Sequence, residues 1–282
     1  LRTRERDLAG LLFERIMTPS TPKSFVLLAK DEPAATILYR RSRLTSYVLQ
    51  LDYGRHHKGY KGKLTKGSRF YGRFFPERCD VSPDGKLMVY FVMRGRKTGG
   101  SADPVTWTAV CTPPWLRAHL FCPNGSTWGG GGRFLGGKTL VVFDNIVGER
   151  REVDGYRILS DLKKLDDTER HAVSEVFRPP PEKLLPRPRS GGRREVPCLV
   201  RYLKPGVANG YDMFDYILRD ESGGDVPGAE DVILANWAGW DIYGRLMVAA
   251  GRHLRFYEVG PRQPLGKPCQ SLDLETAIAG TA

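Results

Sequence analysis

The sequence predicts an all-β protein: a five-bladed β-propeller with an N-terminal helix and a helical insertion between blades 3 and 4. Three observations point there. Short apolar, β-branched runs follow one another along most of the chain, as strands do. Turn markers built on Asp, Pro and Gly recur at positions 33, 85, 137, 191 and 244, spaced 52, 52, 54 and 53 residues apart. Most of these markers sit between two such runs, so the repeating unit is a small antiparallel sheet. Such a sheet cannot bury both faces alone, and stacking several around an axis covers them while leaving only short edges.

The elements follow in order. Residues 1–20 include "RDLAGLLFERIM", which places Leu8, Leu11, Leu12 and Ile16 on one helical face; this is read as a helix docked outside a propeller that occupies 21–282. Blade 1 (22–75) has strands near 24–30, 34–40, 46–52 and 69–75, with a long loop at 53–68. Blade 2 (76–126) has them near 76–82, 86–94, 105–111 and 116–122, hinged on Asp84-Gly85 in "RCDVSPDGKLMVYFV", a pair that tolerates the positive φ of a tight hairpin turn. Blade 3 (127–178) has strands at 128–135 and 138–144 and a third near 153–159. It is followed by "LSDLKKLDDTERHAVSEVF", whose periodicity is helical rather than alternating. Blade 4 (179–230) is the least regular, because its inner strand falls on "PPPEKLLPRPR" and proline cannot donate to a ladder. Blade 5 (231–282) has strands near 234–242, 245–250, 253–259 and 269–275.

The turn Ser82-Pro83-Asp84-Gly85-Lys86 between apolar strands resembles the repeat of TolB-type and other WD-like propellers. Three longer segments, "GRFFPERCDVSPDGKLMVYF", "TWTAVCTPPWLRAHLFCPNGSTWGGGGRFL" and "NWAGWDIYGRLMVAAGRHLRFYEV", are similar to an uncharacterised bacterial family of such β-propeller proteins. The resemblance spans much of 70–260. It implies architecture and a bacterial origin, and no activity.

Composition narrows the function. No apolar run approaches the roughly 18 residues of a membrane-spanning helix, so no membrane partner is expected. The first residues mix charge into their apolar positions and lack the uninterrupted core of a signal peptide; the chain opens on Leu, with which a removed leader is compatible. Five widely spaced cysteines without a C-x-x-C pattern form neither a disulfide framework nor a zinc motif, which points to a reducing, cytoplasmic setting. The net charge is +12, and all of the excess lies in residues 1–100, with 21 Lys and Arg against 9 Asp and Glu. An anionic partner should meet that part.

Catalytic patterns are scarce. Glycosidase chemistry in a propeller funnel needs two carboxylates facing each other across about 5–9.5 Å. The inner strands offer Glu77, Asp80, Asp241 and Glu182, of which Asp80 and Asp241 are the candidate pair. His56-His57 lies in a Lys-rich loop and the other histidines are isolated, so no metal site and no cofactor is expected. The glycines of "WGGGG" are read as room for close backbone approach rather than as a phosphate cradle. Trp115, Trp128 and Trp240 are candidates for an aromatic funnel mouth.

The basic stretch 55–73 carries seven Lys or Arg and no acid, with aromatics interleaved. Arg55, Lys58, Lys61, Lys63, Lys66 and Arg69, with Tyr60 and Tyr71, are the candidate contacts to nucleic acid or another anion, cations for phosphates and rings for unstacked bases. Arg40, Arg41 and Arg43 would extend the patch. The leading functional expectation is a non-catalytic scaffold, a monomer on its own, that binds a protein partner through its funnel face or loops. The alternatives are a nucleic-acid accessory using 55–73 and a funnel hydrolase.

Overall fold

The computed structural model describes residues 21–54, 62–94, 105–136, 138–143, 152–160, 165–188, 197–206, 210–211, 213–260 and 263–280. The helix expected within 1–20 and the turn markers at 137 and 191 lie outside them. The described chain is mostly β, with strands in four hydrogen-bonded sheets, largely antiparallel, and three α-helices.

The first sheet begins β1 (Lys23–Leu28), β2 (Ala34–Arg40), β3 (Thr45–Asp52), β4 (Lys63–Phe74), each antiparallel to the next. Successive side chains of a strand point to opposite faces, and here each face has its own core. Ile37 and Leu49 pack with Met247 and Phe256, whereas Leu38 and Val48 pack with Met88 and Tyr90. Double-sided burial explains why β2 reads as an unbroken apolar run.

The loop expected at 53–68 is corrected. β4 starts at Lys63, opposite Asp52, and a bulge between Tyr47 and Leu49 resets its register. The bulge breaks the alternation that would have announced a strand. Gly67 is required there, since a Cβ would stand 2.2 Å from the Pro114 carbonyl oxygen.

At its end β4 leaves β3 and pairs Gly72 to Phe74 with Arg94 to Val92 of β6 (Met88–Arg94). The first two expected blades are therefore hydrogen-bonded into one eight-stranded sheet, completed by β5 (Asp80–Val81), β7 (Thr106–Cys111) and β8 (Ala118–Asn124). The turn at 82–87 behaves as its residues dictate. Gly85 has φ +73°, Asp84 Oδ1 accepts from Ser82 Oγ and the Lys86 amide, and Ser82 Oγ accepts from the Leu87 amide.

The next sheet holds β9 (Gly132–Leu135), β10 (Thr139–Val142), β11 (Glu152–Val153) and β12 (Tyr156–Leu159). The third strand expected at 153–159 is instead a tight hairpin, with β12 parallel to β10. Helix α1 (Asp167–Phe177) follows, shorter than the helical stretch 159–177. It starts where Asp166 and Glu169 form a reciprocal capping box, which satisfies two otherwise orphaned amides.

Among the described residues the least regular unit has three strands: β13 (Glu182–Leu185), β14 (Cys198–Leu203) and β15 (Phe214–Arg219). β13 does lie inside the proline-rich stretch. The prolines flank its four residues, and it is an edge strand paired only with β14, where proline is tolerated. In place of a fourth strand, the short helix α2 (Glu230–Ile233) buries Val232 with Leu218.

The last sheet is β16 (Trp237–Trp240), β17 (Leu246–Ala250), β18 (His253–Tyr257) and β19 (Gln270–Asp273). The strand expected to run to 275 ends at Asp273, whose carboxylate accepts the Glu275 amide and caps helix α3 (Leu274–Ala279). Neighbouring sheets share cores. Val89 packs with Phe134 and Leu140, Leu218 with Leu246 and Val248, and Ile37 with Met247.

Candidate functional site

A cavity of about 290 Å3 lies where residues of β1, β5, β9, α1, β13 and β14 converge. Its charged lining includes Glu77, Asp80, Arg133, Glu175, Lys183 and Arg201. Glu77 sits in the 3-10 turn Pro76–Arg78 that leads into β5. It is 6% exposed; Oε1 accepts the Gly210 amide at 3.2 Å, and Oε2 has no hydrogen-bond partner. Burial pushes this carboxyl above its ordinary 4.5, against the opposing pull of the Gly210 amide and of Arg78 and Arg73.

Gly210 arrives from far away in the chain. Next to it Tyr211 lies against the eight-stranded sheet, buried with Leu38, Phe74 and Tyr90, its ring 5.1 Å from the Arg40 guanidinium carbon. One segment thus closes over Glu77 while anchored in another sheet's core.

Asp80 is held in place on two sides. Its Oδ2 accepts the Phe134 amide at 2.9 Å, and Arg133 Nη1 lies 3.6 Å from Oδ1. The same guanidinium donates to the carbonyls of Cys79 and Glu77. Glu175 of α1 is ion-paired to Lys183 of β13. Arg201 stands across the ladder from Lys183, its guanidinium carbon 4.0 Å from the Phe214 ring centroid. Its buried Nε has no hydrogen-bond partner.

Asp241 does not join this cavity, and its expected pairing with Asp80 is corrected. It is fully buried, with Oδ1 accepting the amides of Tyr243 and Arg245 and Oδ2 accepting Arg245 Nε at 2.7 Å. Every hydrogen bond its carboxylate accepts comes from its own turn and it is closed off from the cavity, so it is not one of two opposed carboxylates. Glu182 is exposed on β13.

The raised proton affinity of Glu77 makes a pH-dependent prediction. The folded carboxyl holds its proton more tightly than the unfolded one, so its contribution to stability is full below 4.5 and falls as the pH rises above that value. Glu77→Gln keeps an acceptor for the Gly210 amide and cannot ionise. Its urea midpoint should gain on wild type steadily from pH 4.5 toward neutrality; a difference that stays constant with pH would refute the assignment.

The basic stretch divides. Arg55, Lys58, Tyr60 and Lys61 lie outside the described residues. Lys63, Lys66, Arg69 and Tyr71 lie on β4, not in a loop, and all four are exposed, Tyr71 at 56%. Lys66 Nζ donates to the Ile278 carbonyl and ties β4 to α3. Arg40 is committed to Tyr211; Arg41 and Arg43 are both exposed, Arg41 ion-paired to Glu275, so Arg43 is the one that extends the strand's charge.

The three tryptophans do not form one mouth. Trp240 is 7% exposed, donates Nε1–H to the Leu185 carbonyl and stacks with Arg187. Trp115 (54% exposed) lies at the turn end of the β7–β8 hairpin and Trp128 (87%) beyond its open end. Trp115 instead adjoins the basic strand, because the Ser68 amide donates to Pro114 and Ser68 Oγ accepts the Leu116 amide. No Asp or Glu occurs from Tyr53 to Pro76 or from Val105 to Phe143, so the two stretches that meet here are free of acid.

The cysteines are free thiols, and burial pushes Cys79 up to about 12, which leaves it unreactive as a nucleophile. Among the described residues no His, Cys, Asp and Glu group is arranged to hold a metal ion, and no helix is long and apolar enough to cross a membrane. Sequence reasoning missed Arg133, Glu175, Lys183 and Arg201. One signal was available: a lone Arg inside "CLVRYL" interrupts an apolar strand. No protein-family model, curated protein or solved structure matches the chain.

Proposed function

We propose that this chain is a five-bladed β-propeller acting as a non-catalytic scaffold, and that it binds an acidic segment of a protein partner along β4 and the adjoining β7–β8 turn. The observation that carries the reading is the acid-free meeting of those two stretches near Ser68, with Arg69 and Arg117 exposed close to Tyr71 and Trp115. Cations without interspersed carboxylates set up a field that steers an anionic partner, and exposed aromatic rings supply anchor area. Ring closure is supported by the last sheet packing back on the first, where Met247 shares a core with Ile37 and Ser24 Oγ donates to the Gly251 carbonyl. Helix α1 stands between the third and fourth units through the Lys183–Glu175 pair. Free thiols suit a reducing, cytoplasmic setting.

Fluorescence anisotropy with a labelled polyglutamate peptide tests the reading. Arg69→Glu with Arg117→Glu should weaken binding roughly tenfold or more, and wild-type affinity should fall steeply with salt. Unchanged binding in the double variant would sink the proposal. Tyr71 and Trp115 favour a second reading, a single-stranded nucleic acid whose bases stack on those rings. An oligothymidylate that binds far more tightly than the peptide, and loses affinity in Trp115→Ala, would select it.

A further inference from the structure

The cavity lining holds four cations, Lys30, Arg133, Lys183 and Arg201, and three carboxylates, Glu77, Asp80 and Glu175. Their pairings are unequal. Arg133 is taken by Asp80 and two carbonyls, and Lys183 by Glu175. Arg201 lies on the face of Phe214 and in the field of Glu175, its side chain makes no hydrogen bond among the described residues, and its Nε is buried without a partner.

A guanidinium keeps its proton under any ordinary condition, so Arg201 cannot relieve its desolvation by becoming neutral. A ring face compensates part of the charge, but it leaves the planar donor fork without an acceptor. Across the same cavity Glu77 Oε2, buried and unpartnered, is a second unfilled hydrogen-bonding position. Buried polar groups are nearly always satisfied, and two residues lining one cavity, each with a polar atom left unsatisfied, point to an occupant that engages both side chains. The occupant must present an oxyanion to a planar donor fork, which carboxylates and phosphates do in two parallel hydrogen bonds. It must also offer an acceptor to Glu77 when that group carries its proton. A space of about 290 Å3 corresponds to about ten water molecules and holds a metabolite, not a polymer.

We propose that this cavity is a binding site for a small oxyanion-bearing molecule, a carboxylate or a phosphate, anchored on Arg201 with Glu77 as its second polar contact. Lys30 at the cavity edge adds a cation that attracts the ligand. The site is separate from β4, so it adds a small-molecule ligand to whatever the surface binds.

Succinate and inorganic phosphate are the two probes, each titrated by calorimetry and by thermal shift. At least one should bind saturably and raise the melting temperature, as any ligand selective for the folded state does. Arg201→Met keeps the stem over Phe214 and removes the fork; it should weaken binding roughly tenfold or more. Arg157→Gln, exposed on β12 away from the cavity, should bind as wild type does. If Arg201→Met does not fold, Arg201→Lys carries the test, with weaker binding expected from the lost bidentate contact. Absence of binding by both anions, or undiminished binding in the Arg201 variant that folds, would overturn the assignment.

Discussion

Asp241→Ala is expected to cost about 3–5 kcal/mol of stability, the range for removing one member of a buried ion pair, and to lower the melting temperature by roughly 10 °C. The carboxylate is fully buried and accepts three hydrogen bonds, two from the backbone of its own turn and one from Arg245 Nε. Its loss would leave the Arg245 guanidinium enclosed by Tyr53, Tyr243 and Phe256, whose ring centroids lie 5.9, 5.7 and 5.0 Å from it. Those rings cannot replace a charge partner. Arg245→Met in the same chain should recover part of the loss, because the uncompensated charge goes with it, so the double variant should fall short of the summed singles. Urea unfolding of the four proteins gives the cycle. A loss below about 1 kcal/mol in Asp241→Ala would mean that the pair is weakly held.

Asp241 also shows how far a sequence can be read. In "WDIYGRL" it stands three residues before Gly244, as Ser82 stands three before Gly85. Both glycine amides donate to the carbonyl of that residue, and both side-chain oxygens accept an amide further along the turn. The turn chemistry is local and legible, and it assigns Asp241 a capping role that an inner-strand carboxylate reading overlooks. Asp80 is the opposite case: its only local constraint is the strand, and its partners Arg133 and Phe134 come from the next sheet.

Illegible features share a cause, which is distance along the chain. The union of β4 with β6 depends on where two strands separated by a 3-10 turn come to lie. The reach of Gly210 to Glu77 crosses 133 positions, and no period or motif encodes it. The bulge in β4 hid a strand behind lysines. Proline density in 179–188 marked this unit as the least regular, yet four residues between prolines suffice for an edge.

The four glycines at 129–132 carry the second large prediction. Gly130 and Gly131 have φ of +93° and +97°, which L side chains rarely adopt. A Cβ on Gly131 would stand 2.4 Å from the Arg78 carbonyl oxygen, and one on Gly130 would meet the Phe91 ring at 2.3 Å. Their amides are already spent, on Thr108 Oγ1 and the Phe143 carbonyl, which removes them as an anion cradle and leaves close approach as their role. Gly131→Ala combines backbone strain of about 1–3 kcal/mol with overpacking of a similar size. The expected loss is about 2–6 kcal/mol by urea unfolding. Gly125→Ala, where a Cβ meets nothing within 4 Å, should stay within about 0.5 kcal/mol of wild type. Equal behaviour of the two variants would show that inter-sheet contact at Arg78 tolerates displacement. Arg78 directly follows Glu77, so displacing its carbonyl shifts the cavity wall. The Gly131 variant should therefore lose anion affinity under conditions where it remains folded, while Gly125→Ala retains it.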